Sequence, residues 1–196
     1  MFIVFFISCE KEESQYDLKS SLENTLGVLA SQSPLGGDDL FFKDVSYGNG
    51  TRNVLDVLMS NKGESNGVVL FFHGGAFVAG DKEDAYNELL KETMESLLAN
   101  NITIISANYT FINSPGNKGV ISALEDGTAV IDFIQSQSNA LLIPANKMVL
   151  AGVSAGAGIA QWNGFQASSN TQVQGILAIA AQSTYDLYDW ENVFPG

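Results

Sequence analysis

The sequence predicts an α/β domain built on a mostly parallel sheet with helices on its flanks. Two observations carry that prediction. First, residues 68–72 are an apolar run without alternation, the pattern of a strand covered on both faces, and residues 102–108 and 148–153 read as further strands. Second, segments with helical spacing separate them, and strand and helix in turn imply a parallel sheet with right-handed crossovers. At 196 residues the chain suits one domain with a sizeable core.

Taken in order, residues 1–9 are a short apolar run ending in Ser8 and Cys9, too short to span a bilayer as a helix. Residues 10–39 are polar and read as tether and loop, with a short helix within 18–29. Residues 41–47 and 53–59 are strand-like, and Tyr47-Gly48-Asn49-Gly50 between them signals a turn, so they form an antiparallel hairpin. After strand 68–72, residues 81–100 read as one helix capped by Asp81, with Ala85, Leu89, Leu90, Met94, Leu97 and Leu98 near one face. Strand 102–108 follows, then a loop with Pro115 and Gly116. A helix over 120–136 runs through Ile121, Leu124, Thr128, Ile131 and Ile134. Strand 148–153, a helix over 155–168 and strand 175–181 complete the pattern. Residues 190–196 carry no helix or strand signal.

Composition narrows the classes of partner. Hydrophobic residues make up 45% and aromatic residues 10%, ordinary values for a packed domain, while 22 acidic against 9 basic residues give a net charge of −13. Such a surface repels nucleic acid and anionic membranes. One cysteine excludes an internal disulfide and disfavours a structural zinc site.

Two motifs point to chemistry. Strand 148–153 ends in Gly152-Val153-Ser154-Ala155-Gly156, a strand-turn-helix setting that can hold a serine on a strained elbow above a sheet. Glycines two residues either side of Ser154 avoid a collision across that turn. Upstream, strand 68–72 runs into His73-Gly74-Gly75, whose glycines leave backbone N–H groups unshielded. With the N–H of Ala155 these can bind an oxyanion formed when Ser154 attacks a carbonyl. Over roughly residues 40–190 the chain resembles the α/β-hydrolase superfamily, of the serine esterase/lipase type with a His-Gly-Gly oxyanion loop.

The resemblance implies an α/β-hydrolase fold, with the hairpin as its first two strands, Ser154 as nucleophile, and Gly74, Gly75 and Ala155 as oxyanion donors. The plainer alternative for Ser154 is a helix N-cap on a packing turn. Ala76 stands where the fuller motif has a third glycine. His73 resembles the motif histidine that shapes the loop through hydrogen bonds, with general base as the lesser reading. Gly152 and Gly156 are structural. The family orders its triad as serine, acid, histidine, yet no histidine follows Ser154 and His73 is the only one in the chain. Asp186 and Asp189 are candidate acids, or solvated loop carboxylates. Asp126 is assigned nothing. Trp162, Phe165, Tyr185, Tyr188 and Trp190 line an acyl pocket or belong to the core. Asn108-Tyr109 resembles a strand exit where the tyrosine packs under the site.

These readings imply an ester hydrolase that forms an acyl-enzyme on Ser154 and needs neither metal nor organic cofactor. A peptidase of the same fold and a non-catalytic binding member are the alternatives. The alternation stops at a sixth strand, so the expected organisation is a signal remnant (1–9), a polar tether (10–39) and the first two-thirds of a hydrolase domain (40–196), incomplete on its C-terminal side and nearly inactive alone. Phe6-Ile7-Ser8-Cys9 resembles a bacterial lipoprotein cleavage box. It implies a lipid anchor on Cys9 and a position outside the cytoplasm; the alternative is a disordered terminus with a chance cysteine.

Overall fold

The computed structural model describes residues 18–144, 146–166 and 172–182. Its strands are β1 (Ala30–Ser31), β2 (Leu40–Ser46), β3 (Val54–Met59), β4 (Gly67–Phe72), β5 (Ile102–Ala107), β6 (Met148–Val153) and β7 (Val173–Ile179). They form one sheet in the order β1-β2-β3-β5-β4-β6-β7. The β2–β3 hairpin is antiparallel and joins β5 antiparallel, whereas β5, β4, β6 and β7 run parallel. The expected mostly parallel α/β sheet is therefore present.

Helices cover both faces. Residues 18–26 form the described part of α1, and α2 (Lys91–Ala99), α3 (Val120–Gln137) and α4 (Ala155–Gly164) follow. Strand periodicity sorts the core into two layers. Leu70 and Phe72 enter the larger one with Leu124, Ile131 and Ile159, while Phe71 joins Phe41, Leu58, Met94 and Leu98 on the other face. Each such fully buried side chain contributes roughly 1.5–3 kcal/mol through the hydrophobic effect. From residue 18 onward the stretch read as tether is folded: Leu22 and Leu26 are buried in the larger layer, and Ala30 and Ser31 pair with Phe42 and Phe41.

Three elements depart most from expectation. The single helix over 81–100 is two pieces, a 3-10 turn (Lys82–Tyr86) and α2. Asn87 makes the break: its backbone is extended, and its side-chain oxygen accepts the N–H groups of Leu89 and Leu90, offering the chain a turn in place of helix. Leu89 is left 86% exposed, off the face its spacing suggested. Asp81 does cap, accepting from the Glu83 N–H within a capping box closed by Asp84. Helix α4 ends at Gly164 rather than 168, and the last strand begins at Val173 rather than 175.

Candidate active site

Register places the candidate residues together. Phe72 of β4 pairs with Ala107 of β5 on one side and Gly152 of β6 on the other, and Gly152 pairs with Ala178 of β7. Four parallel strands therefore end level with one another. The loops that follow, beginning at His73, Asn108, Ser154 and Ala180, emerge side by side. From β4 the chain moves outward to β5 and then crosses back to β6, so the crevice above β4 and β6 is the topological switch point, where open α/β sheets bind ligands.

Ser154 sits on that crevice between β6 and α4. Its backbone has φ 51 and ψ −114, a conformation that costs a non-glycine residue roughly 1–3 kcal/mol. Neighbours hold it there: the Ser154 N–H donates to the Ile179 carbonyl at 2.8 Å, and its carbonyl accepts from the Gly158 N–H at 3.1 Å and Gln182 Nε2 at 3.1 Å. The side chain makes no capping hydrogen bond, so Ser154 stands at an N-cap position without acting as a cap. Gly152 and Gly156 allow the elbow. A Cβ on Gly152 would overlap the Gly156 backbone, and one on Gly156 would overlap the Phe72 and His73 carbonyls. Ala155 is fully buried at the start of α4, where the first N–H groups have no intrahelical acceptor and the helix dipole favours negative charge.

The His73–Gly75 loop lies beside the serine: a Cβ built on Gly74 would be 3.7 Å from Ser154 Cβ. Gly75, Ala76 and Phe77 all have positive φ, at 109°, 53° and 60°. Gly75 needs its missing side chain, because a Cβ there would overlap the Ala79 carbonyl. Ala76 is exposed and tolerates a conformation that a third glycine would adopt more freely. Phe77 anchors the far side, fully buried with its ring edge-on to Tyr109. Among the described residues, no hydrogen bond from the Gly74 or Gly75 N–H is formed.

Beneath the loop lies a scaffold that the sequence only partly revealed. His73 is fully buried and stacks on Tyr109 at 4.4 Å between centroids. Its Nδ1 is 2.6 Å from the Gly74 carbonyl oxygen and its Nε2 is 3.2 Å from Arg52 Nη2. Desolvation, and then the neighbouring Arg52 charge, hold the imidazole pKa below its ordinary value against the pull of Gly74, Asp84 and Asp81. The Tyr109 hydroxyl donates toward the His73 and Gly74 carbonyls at 3.0 and 3.2 Å, which places Tyr109 under the site as its motif implied. Arg52 was missed. The only signal available was that it is the sole arginine of the chain. Gln182, at the elbow, gave no signal.

Asp126, assigned nothing from sequence, fastens two loops. Its Oδ2 accepts the Thr110 N–H at 2.6 Å and its Oδ1 accepts from Asn53 Nδ2 at 3.0 Å. Trp162 packs partly buried against the larger core layer, whereas Phe165 is 71% exposed. Tyr185, Asp186, Tyr188, Asp189 and Trp190, like Cys9, lie outside the described residues. Among the described residues no cluster of three or more His, Cys, Asp or Glu side chains could hold a metal ion, and no helix is long and apolar enough to cross a membrane.

The sheet order and the flanking helices give the chain an α/β-hydrolase-like topology, an esterase/lipase-type fold. Within it the chain belongs to the BD-FAE family, whose model matches residues 55–188. Solved structures agree on the fold. A hyperthermophilic esterase from Pyrobaculum calidifontis is 18% identical, with a TM-score of 0.58 over 99% of this chain and 58% of its own. An arylesterase is 20% identical, with a TM-score of 0.54 over 94% and 56%. Esterase 2 of Thermogutta terrifontis, phosphorylated by paraoxon, is 16% identical, with a TM-score of 0.53 over 67% and 54%. The chain thus spans less than two thirds of each of these proteins. No curated protein matches it.

Proposed function

We propose that this chain carries the nucleophile and oxyanion loop of a carboxylic ester hydrolase. The observation that carries the reading is the conformation of Ser154: strained at φ 51, making no cap, and beside Gly74. In the reaction, Ser154 Oγ attacks the ester carbonyl carbon. The N–H groups of Gly74, Gly75 and Ala155 are the donors for the oxygen that becomes negative. Collapse of the tetrahedral intermediate breaks the bond to the alcohol, which leaves with a proton, and water then hydrolyses the acyl-enzyme.

The hydroxyl proton needs an acceptor, and His73 does not supply one. Both of its nitrogens are engaged and its ring is fully buried. His73 is therefore read as the loop's support, and no base is assigned among the described residues. Asp186 and Asp189 stay candidates for the acid. Without a base the rate falls by orders of magnitude, so the 196-residue polypeptide should turn over p-nitrophenyl acetate only slowly. A rate matching ordinary esterases would reopen the assignment of His73.

The test is covalent. A fluorophosphonate probe should label Ser154, slowly and in step with the slow turnover, at a site located by peptide mapping, and Ser154→Ala should abolish the labelling. Labelling elsewhere, or equal labelling of the variant, would overturn the reading. Matched p-nitrophenyl ester and p-nitroanilide substrates separate an esterase from a peptidase. The lipid anchor at Cys9 is a separate part of the proposal. Incorporation of labelled palmitate in a bacterial host, lost in Cys9→Ala, is its expected outcome; equal incorporation in both would refute it.

A further inference from the structure

We propose that Arg52 is the positioning residue of the His73–Gly75 loop: its guanidinium locks His73 into the tautomer protonated on Nδ1, and that proton fixes the Gly74 carbonyl. The consequence for catalysis rests on reading the loop as an oxyanion site; the hydrogen-bond logic does not.

That logic follows from what each group can donate. A guanidinium has five N–H donors and no acceptor. Arg52 Nη2 lies 3.2 Å from His73 Nε2, so Nε2 must offer its lone pair and the ring must be neutral. The one remaining proton is then on Nδ1, 2.6 Å from the Gly74 carbonyl oxygen. The opposite tautomer, or an imidazolium, would set an N–H against the guanidinium. It would also have to do so in a fully buried position.

Arg52 is itself held from three sides. Its Nε donates to the Tyr109 carbonyl at 2.9 Å, Nη2 donates to the Gly80 carbonyl at 3.1 Å, and Cζ lies 3.7 Å from the centroid of the Phe111 ring. Contact with an aromatic face adds cation–π attraction. Gly80 adds to the enclosure, because a Cβ on it would overlap the imidazole. The groups acting on the His73 charge are Arg52, which opposes protonation, and Asp81 and Asp84, which favour it. Tyr109 contributes a stacked ring and a hydroxyl.

The lock reaches the site through a peptide plane. The Gly74 carbonyl receives the Nδ1 proton and the Tyr109 hydroxyl from the scaffold side. No peptide bond described is cis, so the Gly75 N–H points opposite to that carbonyl, away from the scaffold. Gly75 is exposed. Arg52 thus aims a donor that it never touches.

The test reads the imidazole directly. The chain has one histidine and one arginine, so a long-range proton–nitrogen spectrum of the ¹⁵N-labelled protein is unambiguous. In the wild type the expected spectrum shows a proton on Nδ1 alone at neutral pH and scalar coupling across the Arg52–His73 hydrogen bond. Arg52→Met keeps an apolar stem over Phe111 but removes every donor. Its two imidazole nitrogens should converge toward mixed tautomers. Arg52→Lys, another donor-only cation, should restore the Nδ1–H form, and Tyr109→Phe should leave it unchanged. A proton on Nε2 in the wild type, or an unaltered Arg52→Met spectrum, overturns the proposal. Should Arg52→Met not fold, the wild-type coupling decides: its presence supports the lock and its absence refutes it. None of these readouts uses substrate. Failure of Ser154 to label would sink the hydrolase reading while the tautomer result stood, and the reverse holds equally.

Discussion

Gly156 of α4 lies against the carbonyl of Phe72 at the end of β4, closer than any side chain would permit. The backbone of the serine's own helix is thereby set directly on the strand that launches the His73–Gly75 loop. The obstructing atoms are main chain and cannot rotate aside. Gly156→Ala should therefore destabilise the fold by about 2–3 kcal/mol, in the range of core overpacking, measured as a lower urea midpoint. A midpoint equal to wild type would show that α4 can shift without cost.

The strain at Ser154 predicts a gain of stability when the serine is replaced by glycine. Its φ of 51 and ψ of −114 are more accessible to a residue without Cβ. Ser154→Gly should raise the unfolding free energy by roughly 1 kcal/mol while abolishing fluorophosphonate labelling, a trade of stability against function. Ser154→Ala keeps a Cβ and should not show the gain. Loss of stability in Ser154→Gly would mean the elbow is relaxed.

Asp56 predicts a pH dependence. It is fully buried on β3, one oxygen accepts the Asp44 N–H at 2.9 Å, and the other has no partner. Desolvation raises its pKa from 3.8 to about 6, against the Asp44 hydrogen bond and the charge of Lys82. The folded state then holds this proton more tightly than the unfolded chain. Its contribution to stability is greatest below about pH 4 and is lost as pH rises through about 6. The two-unit shift corresponds to about 3 kcal/mol. Asp56→Asn should remove that slope, so the stability difference between variant and wild type should change between pH 4.5 and 7 in urea titrations. A difference independent of pH would contradict the assignment.

Asp126 predicts a loop effect. Its carboxylate takes the Thr110 N–H and the Asn53 amide, bonds to a charged acceptor that contribute about 1.5–3 kcal/mol each. Asp126→Ala should destabilise by about that amount and speed amide exchange at Thr110. Asp126→Asn, which keeps one acceptor oxygen, should recover part of the loss. Unchanged exchange at Thr110 in Asp126→Ala would show that the loop is held elsewhere.

What the sequence made legible is what backbone periodicity and glycine sterics encode. The buried strands at β4, β5 and β6, the hairpin of β2 and β3, and the two loops meeting at Gly74 and Ser154 all follow from local pattern. The break at Asn87 was hidden because a side chain overrode an apolar spacing that continues through it. The segment over 18–31 reads as polar, and only the fold shows that Leu22 finds a buried place. Arg52 escaped for a different reason. Its partners, His73, Gly80, Tyr109 and Phe111, come from loops after two other strands, and no spacing along the chain announces such a convergence. Asp126, half-buried beside Glu125 and off the apolar face of α3, is the same case.

The strand order also has a consequence in time. Once β5 has slipped between β3 and β4, every later described strand joins at one border of the sheet, β6 beside β4 and β7 beside β6. A chain emerging from the ribosome can therefore finish the cradle of Arg52, His73 and Tyr109 before Ser154 has been synthesised, since domains form from the N-terminus as they appear. Ser154 is then added beside a loop scaffold whose parts all precede it in the chain, and β7 and Gln182 follow to hold its backbone.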